Sequence, residues 1–222
     1  LGAHTGTVQR WESSVSPFES WSTIANTADT YTSGALTTTT RFRAVVQSGV
    51  CPEIPSTATL MTVSPATVAG TVTGGTAVCS GVNSTGLTLG GYTGTIIRWE
   101  SSASESGPWT SIAHTLPSYT VSNLTSTTYY RAVVKSGACN ELASGSTLIA
   151  VSPATVGGTV SGGGSVCAGT NSTILTLSGH TGDIQRWESA PSGSGPWTGI
   201  ANTSASLTVE NLVSTSYYRA VL

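Results

Sequence analysis

The side chains able to do chemistry in this sequence return at a fixed step. Glu12, Glu100 and Glu188 each sit in the string Arg-Trp-Glu-Ser. A carboxylate can serve as a general acid or base, but hydrolysis of the glycosidase type needs two carboxylates facing one bond. No copy of the string brings an obvious second one with it. The histidines do not repeat: His4 and His180 align with Tyr92, and His114 aligns with Asn26 and Asn202. They read as structural or surface residues. The sequence has no Asp-x-Asp-x-Asp loop of the kind that holds calcium. The glycines around Gly74 and Gly162 read as turns, not as a phosphate loop, which would follow a strand and open a helix. The expectation is a chain that is not an enzyme and needs no metal or other cofactor.

Two residue types remain. Cys51, Cys79, Cys139 and Cys167 occupy two aligned positions. They lack Cys-x-x-Cys spacing, so they predict disulfides and an oxidising location. Two pairings fit. A bond within one copy joins Cys79 to Cys139; bonds across copies join Cys51 to Cys79 and Cys139 to Cys167. The first is preferred because it makes each copy a closed unit, and a loop of about 60 residues contributes roughly 4 kcal/mol. Trp21, Trp109 and Trp197 also align, the last two after Gly-Pro. A tryptophan near a turn can stack on a sugar ring, which makes these three the candidate ligand contacts; the alternative is that they cover the edge of a small core. Triplets at Asn83, Asn123, Asn171 and Asn202 have the form of glycan acceptors in a eukaryotic secretory pathway.

These groups must be positioned by something that repeats. Trp11, Trp99 and Trp187 stand 88 residues apart. That step is too long for a solenoid repeat of about 20–50 residues and fits one small domain per period. The expected domains are 1–64, 65–152 and 153–222. Leu1 aligns with Leu89 and Leu222 with Val134, so the first copy is expected to lack its opening strands and the third its last. The chain reads as a window on a longer array, joined through the short segment Val-Ser-Pro-Ala-Thr-Val at Val63 and Val151. With no long Gly/Ser tether between copies, a semi-rigid string is expected.

Within the middle copy, short β-branched and aromatic runs alternate with Gly, Ser, Asn and Pro. They predict strands at Gly70–Thr73 with Ala77–Cys79, Gly86–Leu89, Thr95–Ser101, Trp109–Ala113, Ser118–Val121, Tyr129–Lys135 and Thr147–Val151. The fold class expected is all-β: tandem immunoglobulin-like or fibronectin III-like antiparallel β-sandwiches. Alternation puts Ile97, Trp99 and Ser101 on one strand face and Ile96, Arg98 and Glu100 on the other. Trp11, Trp99 and Trp187 are thus core tryptophans. Arg98, Glu100 and Arg131, with Tyr129, form an exposed ladder in which opposite charges contribute roughly 0.2–1 kcal/mol across a strand pair. The run Asn123–Tyr130 resembles the corner of fibronectin type III domains in which a tyrosine hydroxyl bonds backbone upstream. Tyr130 and Tyr218 fit that role; Phe42 takes the position in the first copy.

Composition narrows the setting. Charged residues are 8%, far below the usual ~25%, and the net charge of −2 offers no electrostatic basis for nucleic-acid binding. The strings GTVTGGTAVCSGVNSTGLTLGGYTG, RWESS and YYRAVVKSGAC resemble the tandem repeats of giant mobile surface adhesins in gliding Bacteroidetes such as Flavobacterium. That resemblance implies type IX secretion, attachment at the outer surface of the cell and partnership with its motility and secretion machinery. The expected function is a stalk and adhesive array that meets an external surface or polysaccharide, with lateral self-association possible through last strands. The alternative is an array of carbohydrate-binding modules attached to a secreted glycan-degrading enzyme.

Overall fold

The computed structural model describes all 222 residues, Leu1–Leu222, and its regular elements are all strands. The first copy holds β1 (Thr7–Val15), β2 (Ser22–Ile24), β3 (Thr40–Gln47), β4 (Ile54–Pro55) and β5 (Thr59–Met61). The middle copy holds β6 (Thr71–Gly74), β7 (Val78–Cys79), β8 (Ser84–Gly90), β9 (Thr95–Ser102), β10 (Thr110–Ile112), β11 (Ser118–Ser122), β12 (Thr128–Lys135), β13 (Leu142–Ala143), β14 (Thr147–Ile149) and β15 (Val151–Ser152). The third holds β16 (Thr159–Ser161), β17 (Ser172–Ser178), β18 (Arg186–Ala190), β19 (Thr198–Ile200), β20 (Ser206–Glu210) and β21 (Tyr217–Val221).

The chain packs as two compact units. One comprises Leu1–Thr71, Gly91–Arg98 and Ala132–Ser144; the other comprises Val72–Gly90, Trp99–Arg131 and Gly145–Leu222. In the first unit, β1 pairs antiparallel with β2 and β3, and β3 pairs with β4 and β5. The register places Trp11 opposite Ala44 and Glu12 opposite Arg43. It shifts between Val8 and Arg10, so Gln9 is the extra residue of a β-bulge, which resets the alternation of faces.

The second unit contains the two facing sheets of the third copy. The sheets β16-β17-β20 and β19-β18-β21 enclose Leu175, Leu177, Leu207 and Val209 from one side and Trp187 from the other, with Ile184 beside them. Antiparallel strands with one dry and one wet face alternate in this way. Trp187 and Trp99 are fully buried, and their indole N–H groups donate to Ser204 O and Leu116 O, each at 3.0 Å. Such a ring buries roughly 150–250 Å², about 4–6 kcal/mol at 25 cal/mol per Å², the largest single apolar contribution in its copy. In the middle copy the Trp99 ring lies 5.5 Å from Tyr119 on β11. Trp11 is only half-buried: its indole bonds Ala28 O at 2.9 Å, but the first copy supplies one sheet and no facing one.

The bulge corrects the expected faces of the tryptophan strand. Ile96 is buried and Ile97 is 37% exposed, the reverse of strict alternation from Trp99. Their counterparts are Val8, at the edge of the register shift in β1, and Gln9, the extra residue within it.

Candidate functional site

On the outer face of each tryptophan strand, one carboxylate bonds an arginine of the partner strand, and a tryptophan stacks on that arginine. In the third copy Glu188 stands opposite Arg219 on β21. Its oxygens accept from Arg219 Nε at 2.7 Å and Arg186 Nε at 2.8 Å. The Arg219 guanidinium lies 4.0 Å from the centre of the Trp197 ring, within range of a cation–π contact. The first copy repeats the set: Glu12 accepts from Arg43 at 2.8 Å and Arg10 at 2.9 Å, and Arg43 lies 3.9 Å from Trp21. Arg10 also donates to Glu53. In the middle copy Arg131 donates to Glu100 at 2.7 Å and lies 4.0 Å from Trp109, while Arg98 donates to Glu141 at 2.8 Å.

The ladder is therefore covered, not exposed as alternation alone predicts. Glu12, Glu100 and Glu188 are only 7, 5 and 6% accessible, each bonded by an arginine whose guanidinium carries a tryptophan ring. Burial pushes the Glu12 carboxyl up, but hydrogen bonds from Arg43 and then Arg10 outweigh it and hold the group below its ordinary value. For Glu188 the Arg219 bond comes first, then Arg186, with the same net direction. A carboxylate held ionised between two cations is a poor proton donor, so the acid present in all three copies is spent on structure. The structure places Trp21, Trp109 and Trp197 on this ladder, with one ring face taken by arginine. Glu53 and Glu141 extend it from loops 43 residues beyond Arg10 and Arg98, a reach that no local pattern announces.

A second device lies at the loop before β8 and β17. Asn83 Nδ2 donates to the Cys79 and Leu124 carbonyls at 2.7 Å each, and its Oδ1 accepts from the Leu124 amide at 2.9 Å. Asn171 makes the same three bonds with Cys167 and Leu212. Two residues that read as glycan acceptors thus have their amides occupied as clamps. The clamp holds Asn123 and Asn211 at φ 56° and 55°, the left-handed conformation that asparagine tolerates. The corner is organised by this clamp, which corrects the expected tyrosine role. Tyr130 sends its ring into the core, 6.1 Å from Tyr119, and does not reach back to backbone upstream. Burial raises its pKa first, then the neighbouring Tyr119. Tyr218 packs its ring against the third copy's core.

The expected Cys79–Cys139 bond is also corrected: all four cysteines are free thiols. The third copy gives the reason. Cys167 is tied to Asn171 at the start of β17. Val221, the counterpart of Val133 six residues before Cys139, takes the Gln185 amide at 2.8 Å, beyond the other end of β17. That strand has seven residues, roughly 20 Å, whereas a disulfide needs Cα atoms within about 7 Å.

No three His, Cys, Asp or Glu side chains gather as a metal would require, and neither unit assembles a nucleophile with a base and an orienting group. The architecture and the ladder define a class: antiparallel β-sandwich modules in tandem, with their charged groups turned to structural use. Comparison with protein families matches residues 1–65, 68–153 and 156–222 to the family described as Domain of unknown function (DUF8696), and the chain belongs to that family. No curated protein sequence matches it. Among solved structures it is similar to the FN1-FN3 domains of chicken CNTN1, at 15% identity, over 97% of this chain and 84% of that one, with a TM-score of 0.31.

Proposed function

We propose that this chain is a stretch of a secreted cell-surface filament. Its copies, bounded at 1–64, 65–152 and 153–222, act together as a semi-rigid stalk and adhesive array, in the manner of the gliding adhesins the sequence resembles. The observation that carries this reading is the ladder, present in all three copies. It laces the central strands of each sheet together by charge-assisted bonds, a use suited to a module under load, and it sets a tryptophan at a partly exposed position once per period. The junction supports the stalk: Thr67 Oγ1 accepts from the Ser136 amide at 3.0 Å and donates to Asn140 O at 2.9 Å, pinning the linker to the following copy. The partners under this reading are an external surface or polysaccharide and, on the cell side, the type IX secretion and motility machinery at the outer membrane. No helix of the chain is long and apolar enough to cross a membrane.

The test is retention of the whole chain on glass and on a polysaccharide panel, beside a chain carrying Trp21→Ala, Trp109→Ala and Trp197→Ala. Saturable, multivalent retention that the triple variant loses while still folded supports an adhesive array. Tight binding to one soluble oligosaccharide, with none to surfaces, favours the carbohydrate-binding alternative. Absence of any binding removes the adhesive half and leaves the stalk.

A further inference from the structure

Each copy meets the next through the same Val-Ser-Pro-Ala-Thr-Val segment, at Val63–Val68 and Val151–Val156. The two junctions share their bonds. The Val63 and Val151 amides donate to Thr39 Oγ1 and Thr127 Oγ1 at 3.0 Å each, and Val68 and Val156 bridge Thr93 and Thr181. What is seen at one junction therefore applies at the other, one period along.

At the first junction the thiol of Cys139, in the copy that follows, lies 3.4 Å from Pro65 O and 3.9 Å from Ser64 O. Its turn is closed by the Cys139 amide donating to Ser136 O at 2.9 Å. At the second junction the counterparts of Ser64 and Pro65 are Ser152 and Pro153. Ser152 is the residue paired, in parallel, with Cys79 of the copy that precedes, and Ser152 O accepts from the Ser80 amide at 2.8 Å. The Cys79 residue is exposed and its carbonyl is held by Asn83. One Ser-Pro peptide is thus flanked by the cysteine of the copy being left and, by the shared geometry, by the cysteine of the copy being joined.

We propose that the Cys79-type cysteine of one copy and the Cys139-type cysteine of the next form a disulfide across the junction, so that copies are stapled to one another and not closed on themselves. One period after Cys139 falls just past Leu222, and one period before Cys79 falls ahead of Leu1. Neither junction within these residues contains both halves, and all four thiols are free. The bond differs from either pairing that spacing alone allows. Its formation needs an oxidant, here a small-molecule disulfide such as oxidised glutathione. One cysteine thiolate attacks a glutathione sulfur and releases the first reduced glutathione. The second cysteine thiolate then displaces the other glutathione, so two protons and two electrons leave the cysteine pair and two reduced glutathiones are formed.

Two lengthened chains test this. One carries a second copy of the sequence Lys135–Ser144 after Leu222; the other carries a second copy of Thr71–Thr88 ahead of Leu1. Each adds one cysteine. After refolding in a glutathione buffer, non-reducing peptide mapping should find Cys79 bonded to the added cysteine in the first and Cys139 bonded to it in the second. Each chain should titrate with two fewer thiols than its reduced form. Cys79→Ser in the first, or Cys139→Ser in the second, should leave the added cysteine free. An added cysteine that stays free in both folded chains, or a Cys79–Cys139 cystine in either, overturns the proposal.

Discussion

Replacing Asn83 by alanine and by aspartate separates the parts of its clamp. Alanine removes three hydrogen bonds, two donated to carbonyls and one accepted from the Leu124 amide. Each internal hydrogen bond contributes about 1 kcal/mol net. Water can replace the exposed bond to Cys79, but the two bonds to Leu124 are part-buried, so the expected loss is about 2 kcal/mol. Because 1.4 kcal/mol is a factor of ten, hydrogen exchange at the Leu124 amide should quicken about thirtyfold if it proceeds by local opening. Aspartate keeps the acceptor but sets an ionised oxygen against the Cys79 and Leu124 carbonyls, both within 2.7 Å of the present nitrogen. It should therefore destabilise more than alanine at pH 7, on the order of 3 kcal/mol, and approach the alanine variant at acid pH once its carboxyl is neutral and able to donate. The assay is thermal unfolding of the native chain and both variants at pH 7 and pH 4, with exchange mass spectrometry on the peptide containing Leu124. An aspartate variant as stable as the native chain at pH 7 would refute the assignment of the two donor bonds.

The ladder predicts an acid transition. Glu12 and Glu188 have folded pKa values below the ordinary 4.5, so their stabilisation is complete above that pH and is lost as pH falls through the lowered folded values. Melting temperature should hold from pH 7 to about pH 5 and then decline, less steeply for Glu188→Gln, as calorimetry would show. Ser14 Oγ is buried without a hydrogen-bond partner, and its counterpart in the third copy is the buried Ala190. Ser14→Ala should leave stability unchanged or raise it by about 1 kcal/mol, measured by urea unfolding. Gly162 holds φ +93°, and a Cβ there would collide with the Ile174 carbonyl, so Gly162→Ala should destabilise the third copy by more than 1 kcal/mol in the same assay.

Much of the fold is legible in the residues because it rests on local periodicity. The step from Trp11 to Trp99 to Trp187 exposes the repeat. Short alternating runs place strands within a few residues of those observed, from Thr95–Ser102 to Thr128–Lys135. They miss β13, whose two residues carry too little pattern to stand out. The bulge at Gln9 is missed because one extra residue leaves no mark in composition. Asn83 and Asn171 read as glycan acceptors because a triplet does not say where an amide points.

The sequence by itself determined the 88-residue period, the all-β class, and the pairing of a core tryptophan with outward charges on one strand. Those follow from spacing and from the two-residue alternation of a strand. Tertiary structure alone decided that Glu100 is buried, that Trp109 stacks on Arg131, and that Cys79 lies beside Ser152 while Cys139 lies beside Pro65. Arg131 and Glu100 are 31 residues apart, and Cys139 and Pro65 are 74 apart. Such contacts exist only after strands have chosen their partners and register, a choice made by the packing of the whole sheet and not by any short stretch of chain.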